Sequence, residues 1–336
     1  MVLDSAEKAK NFLIENNLLS KLEDEVLVEV EPGRNFNFKV TSKSGCWFLK
    51  SYLCSKQDFS QTILIEQQLQ KKAPNITSSI TLINEELKII VYELIQGING
   101  ITAILNPESK IKSIKSVISE MAMSLSLFHA ELSNFRPTLT LRSDLPWAFT
   151  LGKPDISLLS GITLAGLKVL QIIQADNSLL NTLNHAAESW KTTDIIHGDI
   201  KLANYLCTQD KTYLIDWEFS QLGDVLWDWA GLMSSLISTW VLSMNPDSRT
   251  LISKTNSALF SYTQCQDLAQ VILISMKKSM YHYQEDTFRR FVSIRLIQTA
   301  FECCEDVSII PSASVLLLQV SSNISSSSDS SFTLLR

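Results

Sequence analysis

Over the first hundred residues, apolar and polar positions alternate in short runs that break at turn formers. A helical stretch to about residue 21 leads into the run Glu25-Val26-Leu27-Val28-Glu29-Val30. Pro32-Gly33-Arg34-Asn35 reads as a turn, and beyond it Phe36, Phe38 and Val40 alternate with Asn37 and Lys39. A period of two marks a strand with one buried face. Ser42-Lys43-Ser44-Gly45 closes a hairpin, and a third strand runs from Cys46 to Tyr52, ending near Lys50. A helix over residues 57–71 and strands near 79–83 and 87–93 follow. Three strands, a helix and two strands predict a five-stranded antiparallel sheet carrying one main helix, an α+β arrangement.

The period changes after Gly97. Ile111, Ile114, Ile118, Met121, Leu125, Phe128 and Leu132 recur at spacings of three and four, which places them on one helix face. Pro137 and Pro146 punctuate a loop, a further helical region covers residues 162–190, and helices dominate residues 226–321. The pattern predicts a smaller lobe over residues 1–96 and a larger, mostly helical lobe over 97–322. The serine-rich stretch 321–331 offers too little apolar surface to offset its ordering entropy, so a disordered tail is expected over 323–336.

Composition narrows the classes. The chain has 336 residues, 45% of them hydrophobic, enough for two lobes with a shared cleft. A formal net charge of −6 argues against bulk nucleic-acid binding, which needs a basic face. The six cysteines include no C-x-x-C pair, so they read as small buried thiols in a reducing compartment. The start of the chain lacks a secretory pattern, and the apolar run 229–244 is short of the roughly 20 residues a membrane span needs. Both features predict a cytoplasmic protein without a membrane partner.

The chemistry concentrates in one segment. His197-Gly198-Asp199-Ile200-Lys201-Leu202-Ala203-Asn204 lies between two short strands. Thr212-Tyr213-Leu214-Ile215-Asp216-Trp217-Glu218 then delivers a carboxylate at a strand end, and Asp224 and Asp228 open an apolar helix.

These motifs resemble the aminoglycoside phosphotransferase and choline kinase-like families, relatives of the protein kinases. The family pattern is H-G-D-x-x-x-x-N, then an aspartate ending a strand, then an aspartate on an apolar helix. The resemblance implies a protein kinase-like two-lobe fold, with ATP and Mg2+ as cofactors. It implies that Asp199 is the catalytic aspartate, that Asn204 and Asp216 hold the metal, and that Lys201 reaches the γ-phosphate. His197 is expected to brace the loop, and Asp228 to hold its backbone. In the N-terminal, nucleotide-binding lobe the resemblance makes Lys50 the lysine at the α- and β-phosphates, with Glu66 on the next helix as its ion-pair partner. Tyr92-Glu93-Leu94-Ile95-Gln96-Gly97 is similar to the hinge that meets adenine, through Glu93 and Ile95. Two departures stand out. The phosphate loop lacks G-x-G-x-x-G, leaving backbone amides from Gly33 to Asn35 to cradle phosphate. Asp216-Trp217-Glu218 also stands where protein kinases have D-F-G.

The acceptor is less legible. A hydroxyl-bearing small molecule is the leading expectation. The alternative is a Ser/Thr-containing precursor peptide. Lys201, the phrase around Asp216-Trp217-Glu218 and the phrase Arg295-Leu296-Ile297-Gln298-Thr299-Ala300-Phe301-Glu302 are similar to stand-alone kinases of lanthipeptide-type systems, where a partner lyase acts next. A nucleotide-binding pseudokinase is the non-enzyme alternative, disfavoured because Lys50, Asp199, Asn204 and Asp216 are all present.

Overall fold

The computed structural model describes residues 3–22, 25–106, 112–135, 139–280 and 283–326. Ile111, Pro137 and the tail beyond Ser326 lie outside these ranges.

Helix α1 (Ala6–Glu15) starts on a Ser5 cap and ends earlier than its pattern suggests. Asn17 takes a left-handed backbone, φ 58°, and Leu18 N–H returns to Leu13 O at 2.9 Å. Asparagine tolerates that conformation better than most side chains, so it ends the helix there. Strands β1 (Leu27–Glu31), β2 (Phe36–Thr41), β3 (Cys46–Ser51), β4 (Ile80–Asn84) and β5 (Ile89–Glu93) form a sheet in the order β1-β2-β3-β5-β4, antiparallel throughout. Helix α2 (Lys56–Lys72) lies between β3 and β4 in the chain.

The alternation read from the sequence decides which side chain meets what. Phe38, Val40, Trp47, Leu49, Ile89 and Val91 share one face, and α1 covers it with Phe12 and Leu13. The sheet is therefore covered by two helices rather than one. The opposite face carries Tyr52, Ile90 and Tyr92, packed on Phe59 and Ile63 of α2. Lys50 alternates with Trp47 and Leu49 in the same strand, so it emerges on the α2 side, where the cleft lies.

The larger lobe begins with β6 (Ile98–Asn99), α3 (Gly100–Leu105) and α4 (Ile114–Leu132). Val117, Ile118, Met121, Leu125, Phe128 and Leu132 of α4 are buried, as their spacing requires. Short α5 (Ile156–Ser160) precedes α6 (Leu164–Ala175) and α7 (Asn177–Ser189). The single helical region expected over 162–190 divides at Asp176, whose carboxylate caps α7 by accepting from Ser178 N–H and Leu179 N–H. The short strands β7 (Asp194–Ile196), β8 (Tyr205–Cys207), β9 (Thr212–Leu214) and β10 (Gln221–Gly223) form two small sheets, β10-β7 and β6-β8-β9. Helices α8 (Val225–Leu242), α9 (Leu251–Ser257), α10 (Tyr262–Ser279), α11 (Glu285–Glu302) and α12 (Ser312–Ser326) complete the lobe.

Helix α8 is long and apolar enough to cross a membrane, but 83% of that stretch is buried inside the fold, as a core helix would be. The described part of the serine-rich region, residues 321–326, differs from expectation. Helix α12 continues through Ser326, and Ser321 is fully buried, its hydroxyl donating to Ser293 O at 3.0 Å. Intrahelical backbone bonds and the apolar residues Leu317, Leu318, Val320 and Ile324 order a segment whose composition alone reads as disordered.

Candidate active site

The loop from His197 to Asn204 is held from beneath by Asp228, in the first turns of α8. The Asp228 carboxylate is fully buried and accepts His197 N–H at 2.8 Å, Gly198 N–H at 3.0 Å and His129 Nε2 at 2.9 Å. Gly198 has φ 82°, and a Cβ there would collide with Phe219 O, so both backbone and space require glycine. His197 is also fully buried. Its Nδ1 accepts Asp199 N–H at 3.3 Å, which leaves Nε2 to donate to Ile215 O at 3.0 Å. Burial holds this imidazole below its ordinary pKa, against the opposing pull of Asp228 and Asp199. A neutral His197 therefore links the loop to the strand-end segment, in the bracing role expected of it.

Asp199 points its carboxylate into a ring of donors. Oδ2 accepts from Lys201 Nζ at 2.7 Å and Asn204 Nδ2 at 3.2 Å, and Oδ1 lies 3.6 Å from Arg295 Nη2. Burial alone would raise its pKa. The Lys201 ammonium and the Arg295 guanidinium outweigh burial and hold the carboxyl below its usual range. Asn204 also donates from Nδ2 to Asp199 O at 2.8 Å, and its own carbonyl accepts Ile215 N–H at 2.9 Å. That last bond sets Asn204 beside Asp216. Asp216 itself has φ 72°, a left-handed conformation uncommon for a residue with a side chain.

Across the cleft, Lys50 pairs with the Asp216 carboxylate and lies 3.2 Å from Glu218 Oε2. Burial pushes the ammonium pKa down, but Asp216 and Glu218 together raise it above the ordinary value. The expected ion pair between Lys50 and Glu66 does not form. Glu66 is buried, and it accepts from Tyr92 Oη at 2.9 Å while its Oε2 has no partner. Burial, only partly offset by the Tyr92 hydroxyl and Lys50, raises its pKa to about 8. A protonated Glu66 has little to offer Lys50, whereas two carboxylates stand on the other side.

A cavity of about 690 Å³ opens between the lobes, lined among others by Lys50, Tyr92, Glu93, Ile95, Leu206 and Asp216. Glu93 and Ile95, the two residues assigned to the hinge, both line this cavity. Glu93 O accepts from Ser78 Oγ at 3.0 Å, and Ile95 O accepts Gly97 N–H at 3.0 Å. Gly33 and Asn35 do not line the cavity; their neighbours Pro32 and Asn37 do. Asn35 instead donates to the Glu218 carboxylate and accepts Leu53 N–H at 3.0 Å, a structural tie across the cleft.

The structure adds residues that no local pattern singles out. Arg142 donates to Glu218 O at 2.8 Å and pairs with Asp58 of α2 at 3.1 Å. Gln61 of α2 donates to Ser220 O and accepts Arg142 N–H at 2.7 Å. Trp217 is buried and donates from Nε1 to Thr77 Oγ1 at 3.2 Å, with its ring against Phe128 and His197. Glu218 lies two residues from Asp216, a spacing that marks it in retrospect. Arg295 opens a phrase singled out in the sequence, but nothing local places it at Asp199.

An antiparallel sheet hinged to a helical lobe, with a carboxylate–asparagine–carboxylate set facing a buried lysine across the cleft, defines a protein of the kinase-like class. A family model places it more closely: residues 26–251 match the phosphotransferase enzyme family, to which the chain belongs. No curated protein matches it by sequence. Solved structures share its fold. Choline kinase LicA from Streptococcus pneumoniae is 15% identical, with 95% of this chain and 97% of that one covered and a TM-score of 0.55. A choline kinase from Cryptosporidium parvum Iowa II is 16% identical, with 95% of each chain covered and a TM-score of 0.58. Amicoumacin kinase hAmiN, in complex with AMP-PNP, Ca2+ and Ami, is 12% identical over 95% of each chain, with a TM-score of 0.58.

Proposed function

We propose that this phosphotransferase moves the γ-phosphoryl group of ATP to a hydroxyl of a small molecule, with Mg2+ as cofactor. The observation that carries the reading is the convergence of Lys50, Asp199, Asn204 and Asp216 on one interlobe cleft. The donor set fits magnesium. Asn204 turns its Nδ2 toward Asp199, which would leave its amide oxygen for the metal, and its main-chain carbonyl bonds Ile215 N–H, next to Asp216 in the chain. The Asn204 amide and the Asp216 carboxylate offer hard oxygens, and the nucleotide and water would supply the remainder. When bound, the ion neutralises charge on the phosphates.

The chain's own residues do the rest. Adenine would meet the backbone of Glu93 and Ile95. Lys50, released from Asp216 and Glu218, would contact the α- and β-phosphates. Asp199 aligns the acceptor hydroxyl. As the acceptor oxygen–phosphorus bond forms and the bond to the β,γ-bridging oxygen breaks, the hydroxyl proton passes to Asp199. ADP leaves. Such assistance contributes about 10²–10⁴-fold. Lys201, whose side chain is 45% exposed, is free to swing from Asp199 to the γ-phosphate. A cytoplasmic setting, where ATP is plentiful, suits this reading. Nucleotide and metal in the hAmiN complex support it by analogy of fold.

The test is label transfer from γ-labelled ATP and Mg2+. One tube holds aminoglycosides, choline-like amino alcohols, sugars and homoserine; another holds a serine/threonine-rich peptide pool. Label in a small molecule is expected. Label confined to peptide would overturn the small-molecule reading and direct the search to a partner lyase. Nucleotide binding without transfer to either would point to a binding module.

A further inference from the structure

We propose that Arg295, on α11, is the positioning residue for Asp199; the role rests on the phosphotransfer reading above. The catalytic loop is pinned on one side by Asp228, through His197 N–H and Gly198 N–H, and on the other by Ser235, whose Oγ accepts Leu202 N–H at 2.9 Å. Between those anchors lie Asp199, Ile200 and Lys201. Arg295 holds this middle section. Its Nη2 donates to Ile200 O at 2.8 Å and stands 3.6 Å from Asp199 Oδ1. On the far side of Ile200 O is Gly231 of α8, where a Cβ would come within 2.5 Å of that oxygen. The carbonyl is thus captured between a helix backbone and a guanidinium.

The guanidinium is itself fixed. Nη1 donates to Gln298 Oε1 at 3.0 Å, and Gln298 Nε2 donates to Glu302 Oε1 at 2.8 Å. Its plane lies over Trp227, 5.2 Å from the ring centroid, and Trp227 Nε1 donates to Gly198 O at 3.2 Å. Arg295 has a side chain 8% exposed, against 45% for Lys201. A buried cation is retained where it is paired and hydrogen-bonded. The two cations at Asp199 therefore divide the work. Lys201 can leave for a phosphate, and Arg295 remains to hold the carboxylate in place. A lysine cannot reproduce the role, because its single ammonium lacks the planar fork.

Arg295→Gln and Arg295→Lys would be compared with the intact chain for turnover, acceptor KM, ATP affinity and amide hydrogen exchange. A displaced catalytic group of this kind costs about 10²-fold. We expect Arg295→Gln to lose about that much in kcat, with ATP affinity and acceptor KM within about threefold. We expect Arg295→Lys to recover about a tenth of the intact kcat. The Asp199 and Leu202 amides should exchange about tenfold faster in Arg295→Gln, with those of β2 and β3 unchanged. A kcat within threefold of the intact chain would overturn the proposal, as would ATP affinity falling in step with kcat, or unchanged exchange at Asp199 and Leu202. If Arg295→Gln does not fold, Arg295→Lys carries the same readings. If the intact chain labels no acceptor, the phosphotransfer reading is what fails, and the exchange measurement alone decides for or against Arg295 as the clamp on this loop.

Discussion

The two walls of the cleft are built differently. On the loop side, the groups nearest Asp199 are matched: Asp228 accepts three donors, both nitrogens of His197 are engaged, and Asp199 sits among Lys201, Asn204 and Arg295, although His129 Nδ1 and Tyr205 Oη of the same lobe are buried without a partner. On the sheet side, Lys50 is occupied by Asp216 and Glu218, while Glu66 and Asn37 each bury an oxygen without a partner. A matched network rigidifies, and a partly matched one is poised to rearrange. In the proposed function the loop would be the fixed wall, and the Lys50 side the one that changes partners when nucleotide binds. Phosphates would displace Asp216 and Glu218 by competing for Lys50, and a cation would take up the freed Asp216.

The largest break in this comparison comes from removing, in turn, the carboxylate that holds Lys50 of the sheet wall and the one held within the loop. Asp216→Ala should abolish magnesium-dependent nucleotide binding, read by titration with and without the ion. Asp199→Asn should keep that binding and lose about 10²–10⁴-fold in kcat. Equal loss of binding in both variants would mean that the walls do not divide the work as drawn. Asp228→Ala comes next. It leaves His197 N–H, Gly198 N–H and His129 Nε2 without their acceptor in a fully buried site. At about 1–3 kcal/mol per orphaned group, denaturant unfolding should show a loss of at least ~3 kcal/mol. A cost below 1 kcal/mol would show the loop to be held by its other contacts.

The same contrast explains what was legible in the amino-acid pattern. The loop's chemistry is local: His197 to Asn204 is contiguous, and Asp216 and Asp228 follow within a few turns of chain. Lys50 was legible because the family resemblance places a lysine near the end of the third strand, after the hairpin. The partners were not. Whether Glu66 meets Lys50 depends on how deeply α2 buries it against Tyr92, and that burial raises its pKa until it ceases to be a good ion-pair partner. Asn35 reads as a phosphate-loop residue, yet its amide is committed to Glu218, far along the chain. Arg295 reaches the loop from α11, a contact set by packing of α11 on α8. Residues 323–326 misled for the opposite reason: composition recorded their serines, while the helical spacing of Leu317, Leu318, Val320 and Ile324 buries one face of α12.

Glu66 gives a smaller test, with a definite sign. Its folded pKa of about 8 stands above the ordinary carboxyl value of 4.5, so the folded chain binds more protons than the unfolded one between those values. Stability contributed by this group is therefore greatest at low pH and falls as pH rises through that window, by at most ~1.4 kcal/mol per unit. Glu66→Gln, which cannot ionise, should lose that part of the decline. Urea midpoints at several pH values from 5 to 8 would reveal it as a flatter curve. Parallel curves would place Glu66 on Lys50 as an ionised partner, and would make the sheet wall as matched as the loop.

The smallest effect is expected at Trp217, which joins the walls. Its ring packs on Phe128 and His197 of the larger lobe, and its Nε1 donates to Thr77 in the segment before β4. Trp217→Phe would keep an aromatic ring against His197 but delete the bond to Thr77 and leave a small void. A lost hydrogen bond and partial cavity predict about 1–2 kcal/mol of destabilisation by urea titration. Turnover should stay within about twofold, because neither Asp199 nor Asp216 depends on that bond for its contacts. A fall in kcat much larger than the fall in stability would mean that Trp217 sets the left-handed backbone of Asp216, and with it the metal-facing carboxylate. The sheet wall would then be preorganised through the indole, and the difference between the two walls would lie in Lys50 alone.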